Sequence, residues 1–115
     1  MKFHALALTA FIVTLPATAE EMDHGDHAGP MTPAAAALSA ANDKMMTDMT
    51  VEFSGNPDRD FILMMIPHHE GAIDMAKVQI QYGTDPEIRK LAEGIITAQE
   101  AEIAEMKAWL AAHPE

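Results

Sequence analysis

The sequence predicts an all-α protein, an up-down bundle of three main helices. Apolar residues recur every three or four positions along three long segments, which is the pattern of helices that bury one face. Each segment opens with a capping residue followed directly by proline, a combination that favours a helix start. The loops between the segments are short, and short loops place consecutive helices side by side in opposite directions.

We interpret residues 1–19 as a secretory signal peptide. Lys2 precedes an apolar run at residues 5–15, and small residues at 17–19 supply a cleavage site. The run is shorter than the roughly 20 residues that span a bilayer. We therefore expect a mature protein of residues 20–115, periplasmic or secreted, with no membrane association once the signal is removed.

Net charge excludes two classes of partner. The chain has 7 basic and 18 acidic residues, a net charge of −11, and loss of Lys2 with the signal makes it −12. Nucleic acids and anionic lipid surfaces attract proteins of the opposite sign, so neither is an expected partner, whereas metal cations are. Ten methionines and no cysteine mean that a soft-metal site would have to use thioether and imidazole ligands.

Residues 20–31 form a polar, aperiodic tail rich in metal-ligating side chains. Short histidine-rich tracts are a compositional indication of metal binding, although a solvated tail without function has the same composition. We predict a flexible segment that offers sulfur to Cu(I) and imidazole or carboxylate to Cu(II). Its candidate ligands are Met22, His24, His27 and Met31.

The helical domain is predicted to span residues 32–115. Thr32 caps a first helix that should run from Pro33 to about Val51. Its apolar stripe includes Met45 and Met49, which we interpret as core-filling side chains, the commoner use of methionine.

The second helix should begin after Asn56, end near Tyr82, and contain a doubled histidine. His68 shares a stripe with Met65 and Met75, whereas His69 lies on a neighbouring isoleucine-rich stripe. Pro67 removes a backbone N–H and is expected to kink or break the helix just before the histidines. Such a kink leaves open whether Met64 or Met65 faces the site.

The third helix should start at Asp85-Pro86 and run to about Ala112. Its predicted core stripe consists of Ile88, Leu91, Ile95, Met106 and Trp109. Gln99 and Glu102 interrupt this stripe, and polar groups on a buried face need partners. They lie about as far from the intervening turn as the histidines do, so antiparallel packing should bring the two sets together.

Three interpretations of this cluster compete. It is a copper site, with Gln99 and Glu102 holding an imidazole by its second nitrogen; or a structural hydrogen-bond network in which methionines only fill space; or a di-iron enzyme site. The last needs Glu-x-x-His motifs and inward carboxylates on its helices, and none of the three predicted helices contains such a motif. No cysteine or well-placed serine supports nucleophilic catalysis, so we expect no enzyme.

Three segments together resemble the CopM-like family, formerly a domain of unknown function. They are the run from Phe61 to Ala76 with Met-Ile-Pro-His-His, the Asp-Pro-Glu-Ile-Arg start at Asp85, and the later Gln-x-x-Glu and Met-x-x-Trp-Leu. The resemblance spans about residues 40–110. It implies a secreted, ferritin-like helical fold that binds copper in copper tolerance or periplasmic copper handling, without known catalysis.

Carried over to matching positions, the resemblance implies a specific ligand set. The candidate ligands are Met65, His68, His69, Met75 and Met106, with Gln99 and Glu102 as their supporting pair. A ferritin-like bundle has four helices and this chain supplies three, so a homodimer through the apolar faces would complete it.

The sequence therefore predicts a periplasmic protein that sequesters copper or transfers it to a copper-handling partner. The alternative is a non-catalytic helical interaction module whose buried His-Gln-Glu network is structural.

Overall fold

The computed structural model describes residues 30–114, and these form three helices with no strand. Helix α1 spans Pro33–Asp48, α2 spans Pro57–Tyr82 and α3 spans Pro86–Ala112. The predicted all-α, three-helix architecture is confirmed. The predicted signal peptide and most of the ligand-rich tail, including Met22, His24 and His27, lie outside the described residues.

The three predicted helix starts are confirmed by their capping hydrogen bonds. The Thr32 hydroxyl accepts from the Ala35 amide at 3.2 Å. The Asn56 carbonyl oxygen accepts from the Asp58 amide at 3.0 Å, and the Asp85 carboxylate accepts from the Glu87 amide at 2.8 Å. In each case the side chain satisfies a donor that the first helical turn would leave unpaired.

The predicted end of α1 at Val51 is wrong. The helix ends at Asp48, and Met49 caps it. Thr50 and Val51 are both β-branched, which lowers helix propensity, and the chain leaves the helix there to reach Asn56.

Helices α2 and α3 form an antiparallel hairpin. The Arg59 guanidinium, near the start of α2, donates to the His113 carbonyl after the end of α3 at 3.1 Å. At the other end, the Arg89 guanidinium donates to the Ile80 carbonyl at 2.6 Å. The hairpin is therefore tied at both of its ends.

Helix α1 packs on α2 at a glycine. A Cβ atom placed on Gly71 would lie 2.5 Å from the Met45 sulfur and 2.8 Å from the Met45 Cβ, so only glycine admits this approach. Met45 therefore fills the core, as predicted, and Gly71 is a close-contact position that the sequence analysis did not single out.

The three helices form a layer with α2 in the middle. Gly71 faces α1 and His69 faces α3, and positions two apart point about 200° apart around a helix. No Cα atom of α1 lies within 8 Å of one in α3.

One side of this layer is apolar. We call it the front face. Two ion pairs, Lys44–Asp74 at 4.0 Å and Lys107–Glu70 at 3.6 Å, lie on the opposite side. At about 100° per residue, the front-facing side chains are Leu38 and Met46 of α1; Phe61, Met65, His68, Ala72, Met75 and Gln79 of α2; and Ile88, Leu91, Ile95, Glu102 and Met106 of α3.

The core between the helices is thin. The buried apolar residues are Ala41, Ile62, Ile73, Ala76, Ala92 and Ile103, and no large side chain of the described chain is completely buried. The expected burial of the α3 stripe is wrong at Ile88, which is 46% exposed, and at Leu91, which is 59% exposed. Both project from the front face, which α1 does not cover. No helix within residues 30–114 combines the length and apolarity needed to cross a membrane.

Candidate metal centre

The doubled histidine lies at the middle of α2, inside an unbroken helix. Pro67 precedes it and deprives the Leu63 carbonyl of its intrahelical donor, yet α2 continues through this point to Tyr82. Pro67 was predicted to kink or break the helix, and the continuous helix excludes a complete break. Both imidazoles are consequently held on one rigid element.

His69 meets Glu102 across the seam between α2 and α3. The His69 Nε2 and Glu102 Oε2 atoms are 2.5 Å apart, a close hydrogen-bonding contact between the imidazole and the carboxylate. The His69 side chain is 13% exposed and the Glu102 side chain 57%. The predicted convergence of the histidine pair with α3 is present, but Glu102 is an exposed partner and not a buried one.

Two buried polar atoms beside this contact lack partners. Among the described residues, His69 Nδ1 and Gln99 Oε1 are both inaccessible and make no hydrogen bond. Buried polar groups are paired in most proteins, and an unpaired one calls for an explanation. A carboxylate that accepts the Nε2 hydrogen fixes the tautomer in which Nδ1 carries a lone pair.

His68 is exposed, unlike His69. Its ring centroid is 6.0 Å from that of His69, with the ring planes 62° apart. His68 projects onto the front face, and among residues 30–114 its side chain makes no hydrogen bond or ion pair. The two imidazoles therefore offer nitrogens in different directions, one to the seam and one to the open face.

Each of the two helices has a methionine one turn from the His69–Glu102 pair. Met65 lies one turn before His69, and Met106 lies one turn after Glu102, so the antiparallel packing places both on the same side of the pair. Position 64, in contrast, shares the side of Gly71 that faces α1. Met65, and not Met64, therefore faces the site.

Met75 and Met106 line separate front-face cavities. Met75 shares a cavity of about 340 Å³ with Ile88 and Leu91, whereas Met106 shares one of about 420 Å³ with Phe61 and Trp109. The His69–Glu102 contact lies between these two cavities. The structure thus does not bring Met75 and Met106 to one point, although it places both on the front face.

Two further methionines, Met31 and Met46, are exposed. Met31, the last candidate ligand of the tail, directly precedes α1 and is 63% exposed. Met46 of α1 is 60% exposed on the front face, and the sequence analysis did not single it out. The indication available in the sequence was that Met46 lies outside the predicted core stripe of α1.

Nitrogen and oxygen ligands alone do not make a site here. Within the described part of the chain, no three side chains of His, Asp, Glu or Cys converge on one point. Among the described residues, thioether sulfur is the further donor type available to a metal ion at His69. This donor set, imidazole with thioether, suits soft metals.

Comparison with known proteins gives a family of open function. The family described as a domain of unknown function (DUF305) matches residues 8–110. An uncharacterized protein, L153, of Acanthamoeba polyphaga mimivirus is 43% identical over 53 residues, or 46% of this chain. The chain spans about a third, 35%, of the length of that curated relative.

Proposed function

We propose, from the premise that this chain belongs to the DUF305 family, that it is a copper-binding protein that sequesters or transfers the ion. The proposal is of binding without catalysis. It includes export to the periplasm or outside the cell, which the signal-like first 19 residues support.

The different surroundings of the two ring nitrogens of His69 support this proposal. Its Nε2 atom is held 2.5 Å from the Glu102 carboxylate, while its Nδ1 atom is buried without a partner in the described chain. Metal-ligating histidines commonly donate their other ring N–H to a carboxylate, which orients the ring and raises its basicity. His69 has this arrangement before any metal is considered.

Copper in the Cu(I) state fits the donors within reach. Thioether ligands select Cu(I), and imidazole also binds it. His69 would supply Nδ1, and Met65, His68 and Met106 are the further ligands closest to it along the two helices. Gln99 has a buried carbonyl oxygen with no partner among the described residues and would support the ring or the ion.

The rest of the chain suits a carrier of cations. A net charge of −11 raises the local concentration of cations around the protein. The tail residues Met22, His24, His27 and Met31 would capture copper, as Cu(I) at sulfur or Cu(II) at imidazole, and pass it to the helical site or to a copper-handling partner.

A second function is favoured by the same contact. A histidine that already pairs with Glu102 also serves as a register-fixing link between α2 and α3, so the chain would be a helical interaction module. In that case His69 contributes to folding, and metal affinity would reside elsewhere. The two functions differ in what they require of Nδ1.

Substitutions at His69 separate the two functions. Gln at position 69 keeps a donor directed at Glu102 but lacks the imidazole Nδ1, whereas Ala lacks both. We would titrate Cu(I) into the chain without residues 1–19, against a coloured competing chelator, and measure unfolding of each variant. For a copper site, His69→Gln loses affinity by tenfold or more with little loss of stability, and Glu102→Gln weakens binding by roughly 10–100-fold.

His113→Gln is the matched control, because His113 packs on Trp109 at the end of α3, far from the centre of the layer. It should bind copper as the parent does. If His69→Gln binds copper as tightly as the parent while His69→Ala is destabilised, the interaction module is correct and copper binding at the seam is not.

A further inference from the structure

We infer that a second copy of this chain covers the front face, so that the histidine patches of the two copies meet at the centre of the interface. The apolar surface carries this inference independently of copper.

Within residues 30–114, no element covers the front face. Phe61 is 62% exposed, Leu91 59% and Leu38 44%, one from each helix of the layer. Large contiguous apolar patches are uncommon on monomeric proteins and mark interaction surfaces. The opposite side carries the ion pairs Lys44–Asp74 and Glu70–Lys107. The charged side therefore suits contact with water, and the apolar side suits contact with another protein surface.

The dimensions of the face match one half of a dimer interface. Helices of 26 and 27 residues are about 40 Å long at 1.5 Å per residue, and neighbouring helices lie about 10 Å apart. The surface of α2 and α3 alone therefore measures roughly 800 Å², the area that each partner contributes to a standard-sized interface.

If residues 1–19 are removed as a signal peptide, the composition of the residues that remain before the described chain does not match an apolar face. Residues 20–29 read Glu-Glu-Met-Asp-His-Gly-Asp-His-Ala-Gly, with four acidic side chains and one methionine as the only large apolar group. A second copy, in contrast, presents an apolar surface of equal area, and homodimers of this isologous kind are the commonest oligomers.

The centre of the face has a definite composition. His68 and His69 lie at the middle of α2, and Glu102 lies about one turn beyond the middle of α3. A two-fold axis that passes through this point in the plane of the interface brings the two sets together, whether the helices of the copies run parallel or antiparallel. Since no three nitrogen or oxygen ligands converge within the described part of one chain, pairing doubles the imidazoles and carboxylates available at one point.

The test measures the mass in solution of the full chain, exported and processed by the expressing cell, in metal-free buffer over a wide range of concentration. We expect a species of twice the chain mass. Leu91→Lys and Phe61→Lys place a charge on the front face and should each weaken the dimer about tenfold or more. Because both side chains are mostly exposed in one copy, the helical content of the monomer should remain.

Phe53→Lys is the matched control. Phe53 is 69% exposed, but it lies in the loop before α2 and outside the front face. This variant should dimerise as the parent does. A monomer at every concentration would overturn the inference, and so would a dimer that Phe53→Lys disrupts and Leu91→Lys leaves intact.

Cysteine cross-linking locates the axis. The described chain has no cysteine, so Ala72→Cys, one turn after His68, introduces a unique thiol near the proposed centre. A short bis-maleimide should join two Ala72→Cys copies and leave Lys77→Cys, on the opposite side, unjoined. Cross-linking of Lys77→Cys alone would place the interface on the other side of the layer and contradict the proposal.

Discussion

Gly71 fixes how α1 meets α2, and it does so by having no side chain. The space that a Cβ would occupy is filled by the Met45 side chain, including its Cβ, which cannot swing away as a sulfur can. The close approach at this position also sets the rotation of α2 about its own axis. Because His69 points about 200° away from Gly71 around the helix, it is directed at α3.

We predict that Gly71→Ala destabilises the fold by about 1–3 kcal/mol, the usual cost of overpacking. Denaturant unfolding monitored by circular dichroism measures it. Gly94→Ala is the matched comparison: Gly94 is inside α3 with nothing within 4 Å of its Cβ position, so alanine should stabilise by roughly 0.5–1 kcal/mol through helix propensity. Equal effects of the two changes would contradict the close contact.

The rotation of α2 about its own axis explains what sequence reasoning missed at the residue scale. Sequence reasoning predicted that the histidines meet Glu102, because both sets are equally far from the turn between antiparallel helices. It could not choose between His68 and His69, since their stripes are adjacent and Gly71 decides which one turns to α3.

At the scale of elements, the start of α2 is fastened by Asp60. Its carboxylate accepts hydrogen bonds from the Ser54 hydroxyl and amide, both at 2.7 Å, and from the Gly55 amide at 3.1 Å. The hydrogen bond from the Ser54 side chain, with those from the two backbone amides, lowers the pKa of Asp60 below its ordinary value. The loop between α1 and α2 is thus held by an ionised group.

Asp60→Asn should destabilise the protein at neutral pH and much less in acid. A carboxyl whose folded pKa is lower than its unfolded pKa stabilises the fold above the unfolded value, and this stabilisation is lost as pH falls through the folded pKa. The difference in unfolding free energy between parent and variant should therefore shrink from pH 7 to about pH 3. Asp43→Asn, on the exposed side of α1, is the control; a gap that stays constant with pH would refute the role of Asp60.

The helix starts were predictable because capping is local chemistry: Thr32, Asn56 and Asp85 each bond to amides two or three residues ahead. The exposure of Leu91 was not, because it depends on α1 lying across α2 from α3. A periodic stripe indicates which side chains are apolar, and only the arrangement of the helices shows whether anything covers them.

At the scale of the whole molecule, the helical layer and the tail have different roles in the proposed copper binding. The layer would bind copper at His69 and its neighbours in a fixed geometry. The tail would bind copper first and pass it on, through its ligands Met22, His24, His27 and Met31. The balance of acidic over basic residues favours cation approach to both parts.

Deleting residues 20–31 should therefore slow copper uptake without weakening the helical site. Thr32 remains to cap α1, so the unfolding curve should be unchanged. Stopped-flow uptake and chelator competition measure rate and affinity separately. A tail with Met22, His24, His27 and Met31 replaced by serine controls for length, and an unchanged rate in both variants would show that the tail takes no part.

The middle position of α2 has a consequence for how the protein opens. Because α1 touches α2 and not α3, it can detach while the α2–α3 hairpin keeps its two arginine ties. Local unfolding units of this kind expose their amides to hydrogen exchange before the rest of the molecule does. The backbone amides of α1 should thus exchange first and as a group, and those of α2 and α3 should exchange together and later.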